Sequence, residues 1–259
     1  MNYNYQSNYE IMKGIKMIAT KAYPTTNQTE RSMTSTYRWA AGLLFAQFSV
    51  FLVAFLVLSS AIDWPASLDN PASQSLPLIL QERSAVALGY TAYFLSATML
   101  IPIALLLWQI LASESALMRV TAGLGMLAGF AKLLGIGRWL LMMPTLAEQY
   151  SATSDPNLRA TIEVIYTSFN NYAGGVGEQI GVALFGGLWT AGVALTILRQ
   201  TTLPRWLGYS GLIAAASVLV SLIELYGISA GPMLTVSGSL WQFWLITLGG
   251  MLLRHKSKA

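Results

Sequence analysis

The chain has 259 residues, of which 54% are hydrophobic and only 10% are charged. Because a soluble domain carries about a quarter charged residues, this composition excludes an ordinary soluble protein. The sequence contains no cysteine, and its single histidine, His255, lies in the basic C-terminal tail. Disulfides, iron–sulfur clusters and a histidine-ligated haem or zinc within the membrane are thereby excluded, and we predict no metal and no cofactor.

The first 35 residues are predicted to form a cytoplasmic N-terminal tail, because residues 1–32 are polar and contain no apolar run of span length. Two alternatives stay open. Residues 11–18 carry three isoleucines and two lysines, a pattern that also suits a short basic amphipathic helix on the membrane surface. Translation could also start at Met33, which directly precedes the first apolar stretch.

Six apolar stretches follow, each long enough to cross a ~30 Å hydrocarbon layer, which takes about 20 helical residues. They run from about Trp39 to Ile62, Ala85 to Leu111, Leu117 to Met143, Val176 to Leu198, Trp206 to Tyr226 and Leu234 to Leu253. Residues 36–253 are therefore predicted to form one all-α, polytopic membrane helix bundle with six transmembrane helices. A basic cytoplasmic tail, residues 254–259, completes the chain.

The connections between the spans contain loops and one additional helix. Residues 63–84, with three prolines and three acidic residues, are predicted to be an extended acidic loop, and residues 144–155 a second loop on the same side. Asp155 and Pro156 suit the cap and first position of a helix. This helix has one apolar and one polar face up to Tyr172, so we predict an amphipathic outer helix that runs into the fourth span. A break is expected at Gly174-Gly175.

The cations at the span ends indicate the orientation, because lysine and arginine favour the cytoplasmic side. Only Arg83 and Arg159 fall on one side. Eleven fall on the other: Lys13, Lys16, Lys21, Arg31, Arg38, Arg119, Arg199, Arg205, Arg254, Lys256 and Lys258. This asymmetry explains the net charge of +4 as a consequence of membrane orientation, so we predict no nucleic-acid partner. It predicts a multi-pass protein of the cell (cytoplasmic) membrane with both termini in the cytoplasm.

Four ionisable side chains fall inside the predicted spans, where each one is a candidate functional residue. At 1.5 Å of rise per residue, Lys132 lies about 20 Å above the inner boundary. The other three lie about 28 to 31 Å above it, near the outer boundary: Arg138, Glu178 and Glu224. Glu224 ends its span and is predicted to be a solvated interfacial anchor.

Helical periodicity places Lys132 on the same face as Gly125 and Gly129. Two glycines four residues apart let another helix pack closely, so Lys132 is predicted to face protein instead of lipid. Arg138 points about 120° away from Lys132. Together with the adjacent Trp139, it is predicted to be an interfacial anchor whose guanidinium extends to the lipid headgroups.

Glu178 lies in a glycine-rich seam of the fourth span, where glycines allow close helix packing. The polar and glycine residues near it on the helix are Asn171, Gly174, Gly175, Gln179 and Gly181. We predict that Lys132 and Glu178 approach each other across the third and fourth spans and border a polar, outward-facing pocket. The alternative is a buried ion pair that only orders the bundle.

An enzyme is the least favoured functional class. The tetrapeptide Gly-Tyr-Ser-Gly at residues 208–211 is similar to the nucleophile motif of rhomboid-type intramembrane proteases. Such a serine needs a histidine within the membrane as its base, and His255 lies beyond the last span. No other set of acid, base and nucleophile is evident among the predicted spans.

Two short sequences carry a family resemblance. At residues 203–208 the sequence is LPRWLG, after a glycine-rich span that ends at Arg199, and the first span opens with RWAAGLL at residues 38–44. These features resemble a bacterial integral-membrane family classed only as a domain of unknown function (the 4386 family), over roughly residues 36–253. The resemblance implies a polytopic fold. It supplies no functional residues, because the family has no assigned activity.

The leading functional hypothesis is a non-enzymatic binding protein or accessory subunit of the membrane. It would engage a protein partner, a second copy of itself, a lipid or a small hydrophobic molecule through its outer half. The alternative is a small transporter or channel component in which Lys132 and Glu178 line the path.

Overall fold

The computed structural model describes residues 26–112, 114–200 and 202–254, and every regular element within them is a helix. The α-helices are α1 Thr26–Ile62, α2 Ala72–Gln81, α3 Arg83–Ala112, α4 Ala116–Leu141, α5 Met143–Ala152, α6 Pro156–Gly175, α7 Gly187–Arg199, α8 Arg205–Val220 and α9 Pro232–Arg254. A π-helical segment, Val176–Gly186, joins α6 to α7, and 3₁₀ turns lie at Ala66–Asp69 and Ser221–Tyr226.

Six helical stretches among the described residues are long and apolar enough to cross a membrane. They are Met33–Ile62, Arg83–Leu111, Ala116–Ala152, Pro156–Arg199, Arg205–Tyr226 and Met233–Arg254. The prediction of an all-α, polytopic bundle is confirmed. Residues 26–35, the described end of the predicted N-terminal tail, are helical and continuous with the first span. The candidate surface helix at residues 11–18 lies outside the described residues.

The bundle is assembled from helices that pack mainly on their neighbours in the chain. Helix α1 packs along α3, α3 along α4, and α7 along α8, while the π-helical segment packs against α4. Helix α9 contacts both α1 and α8 and so connects the two ends of this series. The apolar residues that face inward form one large cluster in which α3, α7, α8 and α9 take part.

The two predicted outer loops contain helices, which corrects the prediction of extended structure. Helix α2 and the 3₁₀ turn Ala66–Asp69 lie within residues 63–84, and α5 occupies most of residues 144–155. The prolines suggested extended structure. Instead, Pro71 is the N-cap residue of α2 and Pro144 lies in the first turn of α5, where a proline costs no hydrogen bond.

We call α2, α5, the 3₁₀ turn Ala66–Asp69 and the first half of α6 the outer cap. Its helices pack on one another, and they bury Leu76 and Ile79 of α2 with Leu146 of α5 and Ile162 of α6. The end of the bundle that carries this cap is called the outer end below.

Helix α6 begins as predicted, because the Asp155 carboxylate accepts a hydrogen bond from the Asn157 backbone N–H at 2.9 Å and Pro156 follows the cap. At Gly174-Gly175, where a break was predicted, α6 ends and the chain continues without interruption as the π-helical segment. The helical run from Pro156 to Arg199 is continuous over 44 residues, about 66 Å, and changes to π-type hydrogen bonding at Val176. This run is about twice as long as a ~30 Å hydrocarbon layer is thick, so part of it extends beyond the layer unless the helix is strongly tilted.

Candidate functional site

A cavity of about 960 Å³ lies in the outer half of the bundle, between α4, the π-helical segment, α9 and the outer cap. Seven aromatic side chains line it: Phe51, Phe55, Trp64, Tyr90, Tyr93, Trp139 and Trp241. Five ionisable side chains line it as well: Asp69, Lys132, Arg138, Glu178 and Glu224. Since charged groups within a bundle are costly, their convergence on one cavity makes it the candidate site.

One wall of the cavity is set by a contact between two glycines. A Cβ atom added to Gly135 would lie 2.6 Å from the Gly177 Cα atom, so the backbones of α4 and the π-helical segment touch there. One turn deeper, a Cβ atom on Gly181 would lie 3.0 Å from the Lys132 backbone nitrogen. This close approach brings the side chains of the third and fourth spans to one cavity.

The other predicted packing glycines lie at different contacts. Gly125 meets the Trp189 side chain, and Gly129 meets Ile101 of α3, so this pair joins α4 to α3 and α7 instead of to the π-helical segment. Gly174 lies beside the Arg138 guanidinium, and Gly175 lies beside the Gln179 side-chain oxygen. These two glycines leave room for polar side chains instead of for a helix.

Arg138 is buried, which corrects the prediction that it extends toward lipid headgroups. Its side chain is 5% exposed. The guanidinium curls back along α4, where Nη1 donates to the Gly135 carbonyl oxygen at 2.8 Å, and Nε donates to Asn170 Oδ1 at 3.2 Å. Asn170 in turn donates through Nδ2 to the Leu68 carbonyl oxygen at 3.0 Å. Arg138 therefore links the third span to the outer cap.

Trp139 is also buried, with 3% of its surface exposed, so it does not face the membrane interface. Its ring stacks on Tyr90 with centroids 4.7 Å apart and planes 5° from parallel. The predicted anchors do contact each other, with the Arg138 guanidinium carbon 5.5 Å from the Trp139 ring centroid, but this contact lies in the interior of the bundle. A stacked pair of this kind contributes about 0.5–1.5 kcal/mol beyond its burial and stiffens the cavity wall.

Glu178 pairs with Arg138 instead of with Lys132. The Glu178 Oε1 atom lies 3.8 Å from Arg138 Nη2, and no ion pair joins Glu178 to Lys132 among the residues that the structure describes. The Glu178 side chain lines the cavity and is 44% exposed, so part of its carboxylate faces the open space of the cavity. The third and fourth spans meet as predicted, but the cation that meets Glu178 is different.

Gln179 and Glu224 extend the polar lining toward the outer end. Gln179 Nε2 donates to Glu224 Oε2 at 3.1 Å, and the Ala230 backbone N–H donates to Glu224 Oε1 at 3.2 Å. The 3₁₀ turn that carries Glu224 ends at Gly227, whose φ of 76° is the left-handed conformation that favours glycine. Glu224 is therefore hydrogen-bonded within the site, instead of being the solvated interfacial anchor that was predicted.

Lys132 lies among aromatic rings. The residue is 3% exposed, and its Nζ atom lies 5.0 Å from the Tyr93 ring centroid and 5.5 Å from that of Trp241. Trp241 is held in place because its Nε1 donates to Thr190 Oγ1 at 2.8 Å. Asn171, the remaining predicted site residue, lines the cavity next to Asn170.

The cavity lies within the part of the chain that matches a known protein family. A family model described as "Domain of unknown function (DUF4386)" matches residues 40–249, which includes most of the lining of the cavity. The chain belongs to the DUF4386 family. The resemblance seen in the sequence is confirmed, and this DUF4386 protein is an integral membrane protein. No curated protein and no solved structure matches the chain.

Some residues that build the site of this DUF4386 protein were not predicted: Tyr93, Gly135, Asn170, Gly177 and Trp241. Asn170 was missed because the α-helical period favoured its neighbour Asn171. The glycines were recoverable in principle, since Gly135 lies three residues after Lys132 in the same helix and Gly177 directly precedes Glu178. No local signal marks Tyr93 or Trp241, because the second and last spans, which carry them, meet Lys132 of the third span only in the folded bundle.

Proposed function

We propose that this protein is a non-enzymatic membrane protein that binds a small, partly hydrophobic molecule in the cavity of its outer half. The observation that carries the proposal is the cavity itself. Its volume of about 960 Å³ is in the upper part of the range of small-molecule sites, about 300–1,000 Å³. Such sites combine apolar walls with a few placed polar groups, which matches the aromatic lining and the five ionisable residues.

The arrangement of the polar groups supports binding over catalysis. An acid–base or nucleophilic reaction needs a base within hydrogen-bond reach of the group that it activates. Here the two glutamates of the lining are already engaged, Glu178 with Arg138 and Glu224 with Gln179. The groups therefore hold one another and orient the walls.

The direct test is gentle purification from native membranes, followed by mass spectrometry of proteins and small molecules in the same sample. We expect a small molecule retained in a near-stoichiometric amount. Detection of a stoichiometric protein partner with no small molecule would contradict the proposal and make the protein an accessory subunit. A second copy of the chain would be detected in the same experiment as a dimer mass.

A cavity-filling variant makes this test specific. Gly238 lines the cavity from α9, and a Cβ atom added there meets nothing within 4 Å, so Gly238→Leu fills space without a backbone clash. We expect the retained molecule to be lost. Gly250→Leu is the matched control, because Gly250 lies on the same helix with equally open surroundings and does not line the cavity. Both variants gain about 1 kcal/mol of helix propensity, so neither should fail to fold. Equal retention by both would contradict the proposed site.

We also propose that the outer end faces away from the cytoplasm in the cell membrane and that both termini are cytoplasmic. The supporting observation is the distribution of lysine and arginine. The chain has no cysteine, so single cysteines report the orientation without background. We expect Ser154→Cys at the outer end to react with a membrane-impermeant maleimide on intact cells. Glu114→Cys, between α3 and α4, should react only after permeabilisation. The reverse pattern would invert the topology.

A further inference from the structure

The Lys132 ammonium is the one cation of the cavity that lacks a counter-ion among the described residues. Arg138 forms an ion pair with Glu178. Neither an ion pair nor a hydrogen bond joins Lys132 Nζ to another residue in the described ranges. Yet Lys132 is 3% exposed. A charge taken out of water without an anion is costly, and two ring faces compensate only part of that cost.

The carboxylates of the cavity do not supply the missing charge. Glu178 is 3.8 Å from Arg138, and Glu224 accepts hydrogen bonds from Gln179 and from the Ala230 backbone. Asp69 belongs to the 3₁₀ turn of the outer cap. The deepest ionisable group of the cavity is therefore a cation that has space, and no protein anion, in front of it.

The aromatic rings around Lys132 are positioned by contacts of their own, so the place of the ammonium is set before a ligand binds. The Tyr93 ring packs between two other aromatic rings. Its centroid lies 5.8 Å from that of Phe51 and 5.6 Å from that of Trp64. Trp241 is fixed by its hydrogen bond to Thr190. A charged group that is already positioned costs little ordering entropy when its ligand arrives.

We propose that the molecule bound in the cavity carries a single anionic group, such as a carboxylate, that pairs with the Lys132 ammonium while an apolar body packs on the aromatic walls. This inference rests on the proposed function and names its ligand class. A cationic ligand is disfavoured, because Lys132 itself occupies the faces of Tyr93 and Trp241 and would repel a second positive charge.

The test compares three fluorescent probes that share a dansyl group: dansylaminoundecanoic acid, its methyl ester and the short acid dansylglycine. Three tryptophans line the cavity, so energy transfer from tryptophan to dansyl reports binding: Trp64, Trp139 and Trp241. The protein is held in a neutral detergent, with empty micelles as the blank. We expect at least one of the acids to bind about tenfold or more tightly than the ester, because a charged hydrogen-bonded pair contributes that much.

The two acids distinguish the source of the anion. Preference for the long acid indicates a lipid-like ligand, and equal or better binding of dansylglycine indicates a free organic anion; either result supports the inference. Equal binding of the ester and both acids to the wild-type protein would overturn the anionic class and leave the proposed function standing. Failure of all three probes to bind would count against the proposed function as well.

Variants at Lys132 assign the effect to this residue. Lys132→Met keeps most of the side-chain length, and we expect it to lower the affinity for the acid to that for the ester. Lys132→Arg keeps the charge and should keep a preference for the acid. An unchanged preference in Lys132→Met would overturn the inference. If Lys132→Met does not fold, the comparison of acid and ester on the wild-type protein still decides.

Discussion

Replacing Gly135 with alanine should destabilise the protein by about 2 to 3 kcal/mol, the cost of inserting a methyl group into a close-packed interior. The new Cβ atom would lie 2.6 Å from the Gly177 Cα atom and 2.9 Å from the Ala173 carbonyl oxygen. These are backbone atoms, which cannot rotate away as a side chain does. The third and fourth spans must therefore separate. Thermal unfolding of the purified protein in detergent should show a midpoint several degrees below that of wild type.

Gly137→Ala is the matched control for this prediction. Gly137 lies two residues further along α4, and a Cβ atom there meets nothing within 4 Å. This variant should be neutral, or more stable by up to about 1 kcal/mol from helix propensity. Gly177→Ala should act in the same direction as Gly135→Ala, since its Cβ atom would lie 3.0 Å from the Gly135 Cα atom. Equal stability of the Gly135 and Gly137 variants would show that the two backbones do not touch.

Removal of Arg138 is the second change with a large expected effect. Arg138→Met deletes two hydrogen bonds and an ion pair at a side chain that is 5% exposed. It leaves the Asn170 oxygen and the Glu178 carboxylate without their cation. We expect a loss of about 2 to 3 kcal/mol in the free energy of unfolding, the range measured for hydrogen bonds to charged groups. Because Asn170 also holds Leu68, protease sensitivity of the outer cap should rise.

Glu178→Gln should cost much less, below about 1 kcal/mol, although it breaks the same ion pair. The Glu178 side chain is 44% exposed to the cavity, and its Oε1 atom lies 3.8 Å from Arg138 Nη2, so the ion pair is loose and contributes little. Adding Glu178→Gln to Arg138→Met should recover part of the lost stability, because the unpaired carboxylate is then removed. Equal costs for the two single variants would mean that the ion pair, and not the hydrogen bonds of Arg138, carries the stability.

The spans were predictable because membrane insertion is a local property of the sequence. A helix that crosses hydrocarbon needs about 20 apolar residues, and each of the six stretches meets this condition without reference to the rest of the fold. The start of α6 was predictable for a similar reason. Asp155 and Pro156 act within a single turn, and the structure forms the capping hydrogen bond that their order implies.

The outer cap was not predictable from loop composition. Prolines and acidic residues between Ile62 and Arg83 are typical of extended loops, yet α2 forms there with Pro77 in its interior. Its Leu76 side chain is fully buried among the cap helices. Packing of this kind between segments distant in sequence outweighs a local preference of a few kcal/mol at most.

The partner of Glu178 was missed because helical angles describe Cα positions and not the reach of long side chains. Arg138 does leave α4 in a different direction from Lys132, as the 100° rule requires. Its side chain is long enough to return along the helix to Gly135 and to lie beside Gly174, where no side chain fills the space. The π-helical segment adds to the error, since an i→i+5 pattern changes the direction of each residue after Val176.

Hydrophobicity and charge along the chain are enough to identify a six-span helical membrane protein and the ionisable residues within its spans, and the glycine-rich fourth span led to the prediction that it meets the third. These properties follow from hydrophobicity, charge and side-chain size, which act locally. The large cavity, the pairing of Arg138 with Glu178 and the position of Lys132 beside Tyr93 and Trp241 are evident only in the folded protein. Such contacts join helices far apart in the chain, and their geometry depends on how closely the glycine backbones pack.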